Sequence, residues 1–187
     1  MTHQHSNGTA TSAPKLRRTA QDESSDESFD ESSAVLAAAR RALARQSFCT
    51  LATSSPRNRP HVVGVVYVAV DGDLYIHTLD GSRKVQNIRE NPHVGICVPV
   101  RTFPFAPPFC VQFQGTAVVL PPDEPTIAAL LATKRLKKIT AHGALDVPGV
   151  CFIRVTPGRT MSTYGVGVPL LTLLRDPFHA NRSVALR

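Results

Sequence analysis

LYIHTLDGSRKVQNIRENPHVGI, residues 74 to 96, passes from strand to turn to helix to strand in one short run. LYIHTL (74–79) reads as a strand. Asp80-Gly81 is a turn dipeptide. SRKVQNIREN (82–91) sets Val85 and Ile88 at helical spacing, and Asn91-Pro92 stops that helix. HVGICVPV (93–100) then reads as a further strand. The helix opens on Ser82, Arg83 and Lys84. A helix start offers free N–H groups and a partial positive charge. Ser82 adds a hydroxyl donor, Arg83 a planar fork and Lys84 a point charge, and together these suit a phosphate group. Thr78, at the end of the preceding strand, can point into the same corner. On spacing alone, the triplet fits a solvated helix start as well.

Outward from this run the chain is mostly strand. FCTLATS (48–54) alternates and ends in the turn SPRNRP. HVVGVVYVAV (61–70) is a β-branched run long enough for one central strand. Asp71-Gly72-Asp73 is a hairpin signal leading into 74–79. RTFPFAPPF is a proline-rich loop, too poor in donors for a sheet centre. CVQFQGTAVVL (110–120) is a fifth strand, with Gly115 suited to a bulge or sharp bend. PPDEPTIAALLATKRLKKIT gives a helix whose prolines sit at its tolerant start. VCFIRVTP (150–157) is a sixth strand, continued by RTMSTYG (159–165). VPLLTLLRDPFHANRSVALR holds a short helical stretch ended by Pro177. Six or so strands at near-hairpin spacing predict a mainly β fold, a small antiparallel barrel.

The chain has 187 residues with 42% hydrophobic content, enough for one core and a tail. Residues 1 to 33 read as a disordered acidic-serine tail, and 34 to 187 as the barrel domain. From Ser33, AVLAAARRALAR is an amphipathic helix with Val35, Leu36, Ala39 and Leu43 on one face. The tail holds six acidic and three basic groups of the 14 and 21 in the chain. The remainder therefore carries 18 basic and 8 acidic residues, a net of +10. Such a body suits an anionic partner. Nucleic acid is not expected, because aromatic residues are 6% and none interleave with the basic cluster Lys134, Arg135, Lys137 and Lys138. No apolar run reaches membrane-span length, and no signal peptide is visible, so a cytoplasmic protein is expected. The histidines are scattered and the four cysteines far apart, so no metal site is expected. Cys97, Cys110 and Cys151 lie in apolar strands and read as buried packing residues.

Residues 74 to 100 closely resemble the cofactor segment of the pyridoxamine 5′-phosphate oxidase-like family. That pattern is a strand ending in Thr, a turn, Ser-Arg-Lys, an amphipathic helix, Asn-Pro and an apolar strand. Thr78, Ser82, Arg83, Lys84, Asn91, Pro92 and HVGICV match it. FCTLATS with RPHVVGVVYVAVDGD is similar to the family's first two strands, and FQGTAVVL to a later one. The resemblance covers roughly residues 45 to 165. It implies the flavin-binding split-barrel fold and a homodimer with the cofactor at the subunit interface. It implies that Ser82, Arg83 and Lys84 hold the cofactor phosphate, with Thr78 and His77 beside it. The backbone around Val63, Gly64 and Val65 would line the isoalloxazine ring.

Three departures stand out. Oxidase members place a Gln five residues before the glycine matched by Gly115. Here that position is Cys110, and Gln112 and Gln114 on the same strand face can substitute. Tyr164 is the match for a late aromatic residue near the cofactor. The oxidases' C-terminal Arg and His grip on the substrate phosphate has no counterpart, although Arg175 and His179 are nearby. The resemblance thus implies a flavin-dependent oxidoreductase other than a true pyridoxamine 5′-phosphate oxidase. FMN is the expected cofactor, and the deazaflavin coenzyme F-420 the alternative. A non-catalytic flavin-binding or sensor protein is the rival. No side chain stands out as a catalytic acid or base.

Overall fold

A computed structural model of the chain describes residues 20–100, 109–141, 143–168, 175 and 180–186. The first 19 residues of the expected tail lie outside these. So do most of the proline-rich loop, and the expected C-terminal helical stretch apart from Arg175. The elements run α1 (Ala20–Arg45), β1 (Phe48–Ser54), β2 (Pro60–Val66), β3 (Val68–Val70), β4 (Asp73–Leu79), α2 (Arg83–Glu90), β5 (His93–Val100), β6 (Phe109–Leu120), α3 (Pro125–Ala132), α4 (Lys137–Thr140), β7 (Val150–Tyr164) and β8 (Asn181–Ala185). No described helix is long and apolar enough to cross a membrane.

One antiparallel sheet carries the fold, in the order β2-β1-β5-β6-β7-β4-β3, with β8 added beside β7. Its two terminal strands, β2 and β3, are neighbours in the chain with only Tyr67 between them. A sheet whose opposite edges are joined by one residue must curl until those edges meet. β2 pairs with β1 and β3 with β4. The seam between β2 and β4 is closed by packing, which makes a split barrel. The expected single strand 61–70 is therefore two strands. Tyr67 forms the corner: its N–H donates to Ser47 at 2.8 Å, and its buried phenol donates to the Leu43 carbonyl at 2.8 Å.

The long strands β6 and β7 span both halves of the barrel. The first half of β7 lies between β4 and β6, and its second half between β6 and β8. The register shifts between Phe113 and Gly115, so the bend expected at Gly115 is present. A Cβ there would collide with the Thr156 carbonyl, which is why the position takes glycine. Asp71 (φ 53°) and Gly72 (φ 94°) make a two-residue hairpin turn between β3 and β4. β8 was not among the expected strands.

Inward residues such as Leu51, Ile76, Val98, Val111 and Ile153 fill the barrel, and α1 closes it with Val35, Ala39, Ala42 and Leu43. α1 starts at Ala20, so the stretch 20–32 is helical where a disordered tail was expected. The packed turns from Val35 onward supply the nucleus from which the helix continues. A second cluster lies on the outer side of β4 and β7. There Tyr75 and Phe152 meet Ile127, Leu130, Leu136 and Ile139 of the α3–α4 region. Arg135 clamps that region to the hairpin turn through two bonds to Asp71, at 2.7 and 2.8 Å.

Two substitutions test this account. Gly115→Ala pushes a methyl group into backbone and should cost about 1–3 kcal/mol. Tyr67→Phe leaves the buried Leu43 carbonyl unpaired and should cost about 1–3 kcal/mol. Urea unfolding monitored by circular dichroism reads both, and an unchanged midpoint for Tyr67→Phe would contradict the corner's role.

Candidate functional site

β4 ends at Leu79, and the chain turns through Asp80 and Gly81 into α2. The Ser82 N–H donates to the Leu79 carbonyl at 3.1 Å, and the Gln86 side chain donates to Gly81 at 3.3 Å. Ser82 caps α2 in an extended conformation, yet its side chain makes no capping bond. Its Oγ is buried and has no hydrogen-bond partner among the described residues. A buried hydroxyl without a partner costs free energy unless a ligand supplies one. Arg83 is exposed and Lys84 half-buried beside it. Asp80, the acidic group of this corner, is paired with Arg89 at the far end of α2, which offsets its repulsion of an anion.

The helix is held in place by more than Val85 and Ile88, both buried. Asn87, also buried, donates from Nδ2 to Thr53 Oγ1 at 3.0 Å. Thr53 Oγ1 in turn donates to the His61 carbonyl at 3.4 Å. The chain Asn87–Thr53–His61 thus links α2 to β1 and β2. His61 was not singled out from the sequence. Its Nδ1 is buried and without a partner among the described residues, on the same strand face as Val63 and Val65. The signal was a polar residue at an inward position of an otherwise apolar alternating strand.

Strand alternation separates His77 from Thr78. Thr78 is buried on the barrel side, opposite Cys151. His77 faces the outer side, where its Nε2 donates to the Ala144 carbonyl at 3.0 Å and its ring meets Phe152 edge-on at 5.6 Å. The structure therefore sets these two neighbours on opposite faces of β4.

β2 is a terminal strand, so alternate N–H and C=O groups on its outer edge have no strand partner. Val65 is buried and Val63 half-buried, and both face the core. Gly64 faces out, and the Phe48 ring lies so close over it that a Cβ would sit 2.7 Å from the ring. The outer face of the sheet holds an open cavity of about 680 Å³, lined by Thr50, Val62, Cys97, Gln112, Gln114 and Ser162 among others. Gln112 and Gln114 are thus brought together there, apart from Ser82, Arg83 and Lys84, which do not line it. Tyr164 is half-buried against the barrel core and pairs with Asn181, which also lines the cavity.

The cysteines divide by strand face. Cys49 and Cys151 are buried in the core. Cys97 and Cys110 are half-buried on the outer face, a correction to the reading of both as buried packing residues. The period of two decides this: each lies between inward neighbours. Burial, with Cys97 nearby, pushes the Cys49 thiol up to about 12. Burial raises the Cys110 thiol as well, and again Cys97 adds to it. Burial also raises Cys151; Asp80 adds to the shift, and Arg89 and Lys84 oppose it. Thiols held protonated in this way are poor nucleophiles. Among the described residues no three metal-binding side chains cluster.

No curated protein matches the chain by sequence. Solved structures share its fold. The heme storage protein HutZ of Vibrio cholerae superposes with a TM-score of 0.57 at 17% identity, over 65% of this chain and 89% of that one. A heme binding protein of Mycobacterium smegmatis gives 0.63 at 17%, over 81% and 57% of the two chains. An FAD-binding protein of Mesorhizobium loti gives 0.54 at 22%, over 66% and 87%. A family model described as pyridoxamine 5′-phosphate oxidase matches residues 35–163, a span holding the whole α2 corner and most of the sheet. The split barrel, the Ser-Arg-Lys helix start and this match agree: the chain belongs to the pyridoxamine 5′-phosphate oxidase-like family.

Proposed function

We propose that this chain binds FMN at the start of α2 and acts as a flavin-dependent oxidoreductase on a small organic substrate. One observation carries the reading. Ser82 has a buried hydroxyl without a partner among the described residues at an otherwise uncapped helix start, followed by an exposed Arg83 and a half-buried Lys84. A phosphate fits this set: the hydroxyl and the free N–H groups of α2 donate to it, and the two cations neutralise it. The terminal strand β2 offers unpaired backbone groups around Val63, Gly64 and Val65 to the polar edge of a flat ring. His61 and Thr78 are further polar groups on the inner side of that region. When bound, the flavin supplies two-electron redox chemistry. The protein holds the phosphate, orients the ring and excludes water from one ring face.

The outer sheet face favours a homodimer through its exposed apolar side chains. Phe48, Val62 and Val66 are exposed there, at 49%, 62% and 52% of their full accessible area. Three large apolar side chains on neighbouring strands fit burial against a second copy. Coenzyme F-420 is the alternative cofactor, since the same phosphate site would serve it. A flavin-binding protein without catalysis is the remaining rival.

Titration of the protein with FMN, and separately with F-420, selects the cofactor. Arg83→Ala and Lys84→Ala should each weaken binding about 10- to 100-fold, because each removes a charge-assisted contact. Raising salt should weaken it further. If neither compound binds the unaltered protein, the flavin reading fails. If FMN binds but no turnover occurs with any nicotinamide donor, the non-catalytic rival gains. Val62→Asp with Val66→Asp should convert a dimer to a monomer in sedimentation, and an unchanged mass would remove the sheet face as the interface.

A further inference from the structure

We propose that His77 is a positioning residue, which latches the segment 143–149 beside the phosphate corner and so controls how fast a ligand leaves it. This rests on the phosphate site proposed at Ser82, Arg83 and Lys84.

The segment joins α4 to β7 and is exposed along nearly its whole length. Gly143 and Gly149, at its two ends, have φ of 75° and 78°. Both lie in the left-handed region, where glycine turns most freely. Inside the segment, the Asp146 N–H closes a turn onto Gly143 at 3.0 Å. From 143 to 148, the bond from His77 Nε2 to the Ala144 carbonyl is the only hydrogen bond to the rest of the protein among the described residues. The imidazole is itself held by its edge-on contact with Phe152, which is fully buried. A rigid donor therefore grips a segment with glycine pivots at both ends.

The far pivot adjoins the phosphate corner. The Gly149 carbonyl accepts from the Asp80 N–H at 2.8 Å, two residues before Ser82. Leu79 pairs with Val150, and Thr78 with Cys151. Leu145 and Val147 point aliphatic side chains into solvent from the same segment, at 42% and 46% exposure. Through Gly149 the segment is joined to the turn that leads into Ser82, so freeing Ala144 would loosen the corner from that side. His77 acts through Ala144 and needs no contact with the ligand.

The test uses the full chain with His77→Ala and His77→Gln. Glutamine keeps an N–H donor of similar reach and so separates the latch from a general packing defect. The first readout is chymotrypsin cleavage after Leu145, without ligand. The second is the FMN dissociation rate after rapid dilution. For His77→Ala both should rise about tenfold, the weight of one lost hydrogen bond. His77→Gln should return both to within about twofold of the original protein. Unchanged cleavage in His77→Ala would overturn the latch. Faster cleavage with unchanged FMN release would overturn the link to the corner. A glutamine variant that behaves like alanine would assign the effect to packing against Phe152 and overturn the hydrogen bond's role. If the unaltered protein binds no FMN, the flavin reading and the control of release both fail, and cleavage after Leu145 still decides the latch.

Discussion

The fold depends on one covalent constraint: β2 and β3, the two ends of the sheet, are joined through Tyr67 alone. A flat or merely twisted sheet cannot satisfy that connection. Curling brings the edges together and creates an inside, into which every second residue of β1, β4, β5 and β6 then points. Tyr67 stabilises the corner because its phenol reaches the last turns of α1, so barrel closure and helix docking are one event. The seam is packed without a hydrogen-bonded ladder, which leaves β2 with free backbone groups on one edge. A closed barrel would have consumed them.

The second element, α2, is short, and its position comes from outside itself. Val85 and Ile88 bury its apolar face, and Asn87 ties it to β1 through a buried bond to Thr53. An eight-residue helix is too short to be stable alone, so these contacts set where its N-terminus points. The polar chain from Asn87 through Thr53 to the His61 carbonyl then fixes β2 relative to that N-terminus. The corner and the strand that the proposed cofactor would touch are therefore one rigid unit. The segment after α4 is different in kind, hinged at two glycines and held by a single imidazole.

The candidate site was legible to different depths. Ser82, Arg83 and Lys84 were legible because an N-cap, a turn and a helix stop are local signals within one run of chain. The orphaned Ser82 hydroxyl was not, since burial of one atom depends on neighbours distant in sequence. His77 and Thr78 read as one pair in the sequence, and strand alternation put them on opposite faces. Cys97 and Cys110 looked like core residues by the company they keep, but face the open side of the sheet. The helix from Ala20 and the strand β8 escaped notice for the same reason: each continues or joins a structure whose stability lies elsewhere.

By itself the sequence determined the elements. Period-two alternation set β1, β4, β5 and β6, the Asp71-Gly72 pair set the turn from β3 into β4, and Asn91-Pro92 ended α2. These follow from backbone sterics and the burial of nearby side chains, which act over a few residues. Tertiary structure decided that the β-branched run 61–70 breaks at Tyr67, that the sheet closes on itself, and that His77 reaches Ala144. Each of these is a contact between residues far apart in the chain. Its free energy exists only once the intervening segments have been placed, so no local pattern can encode it.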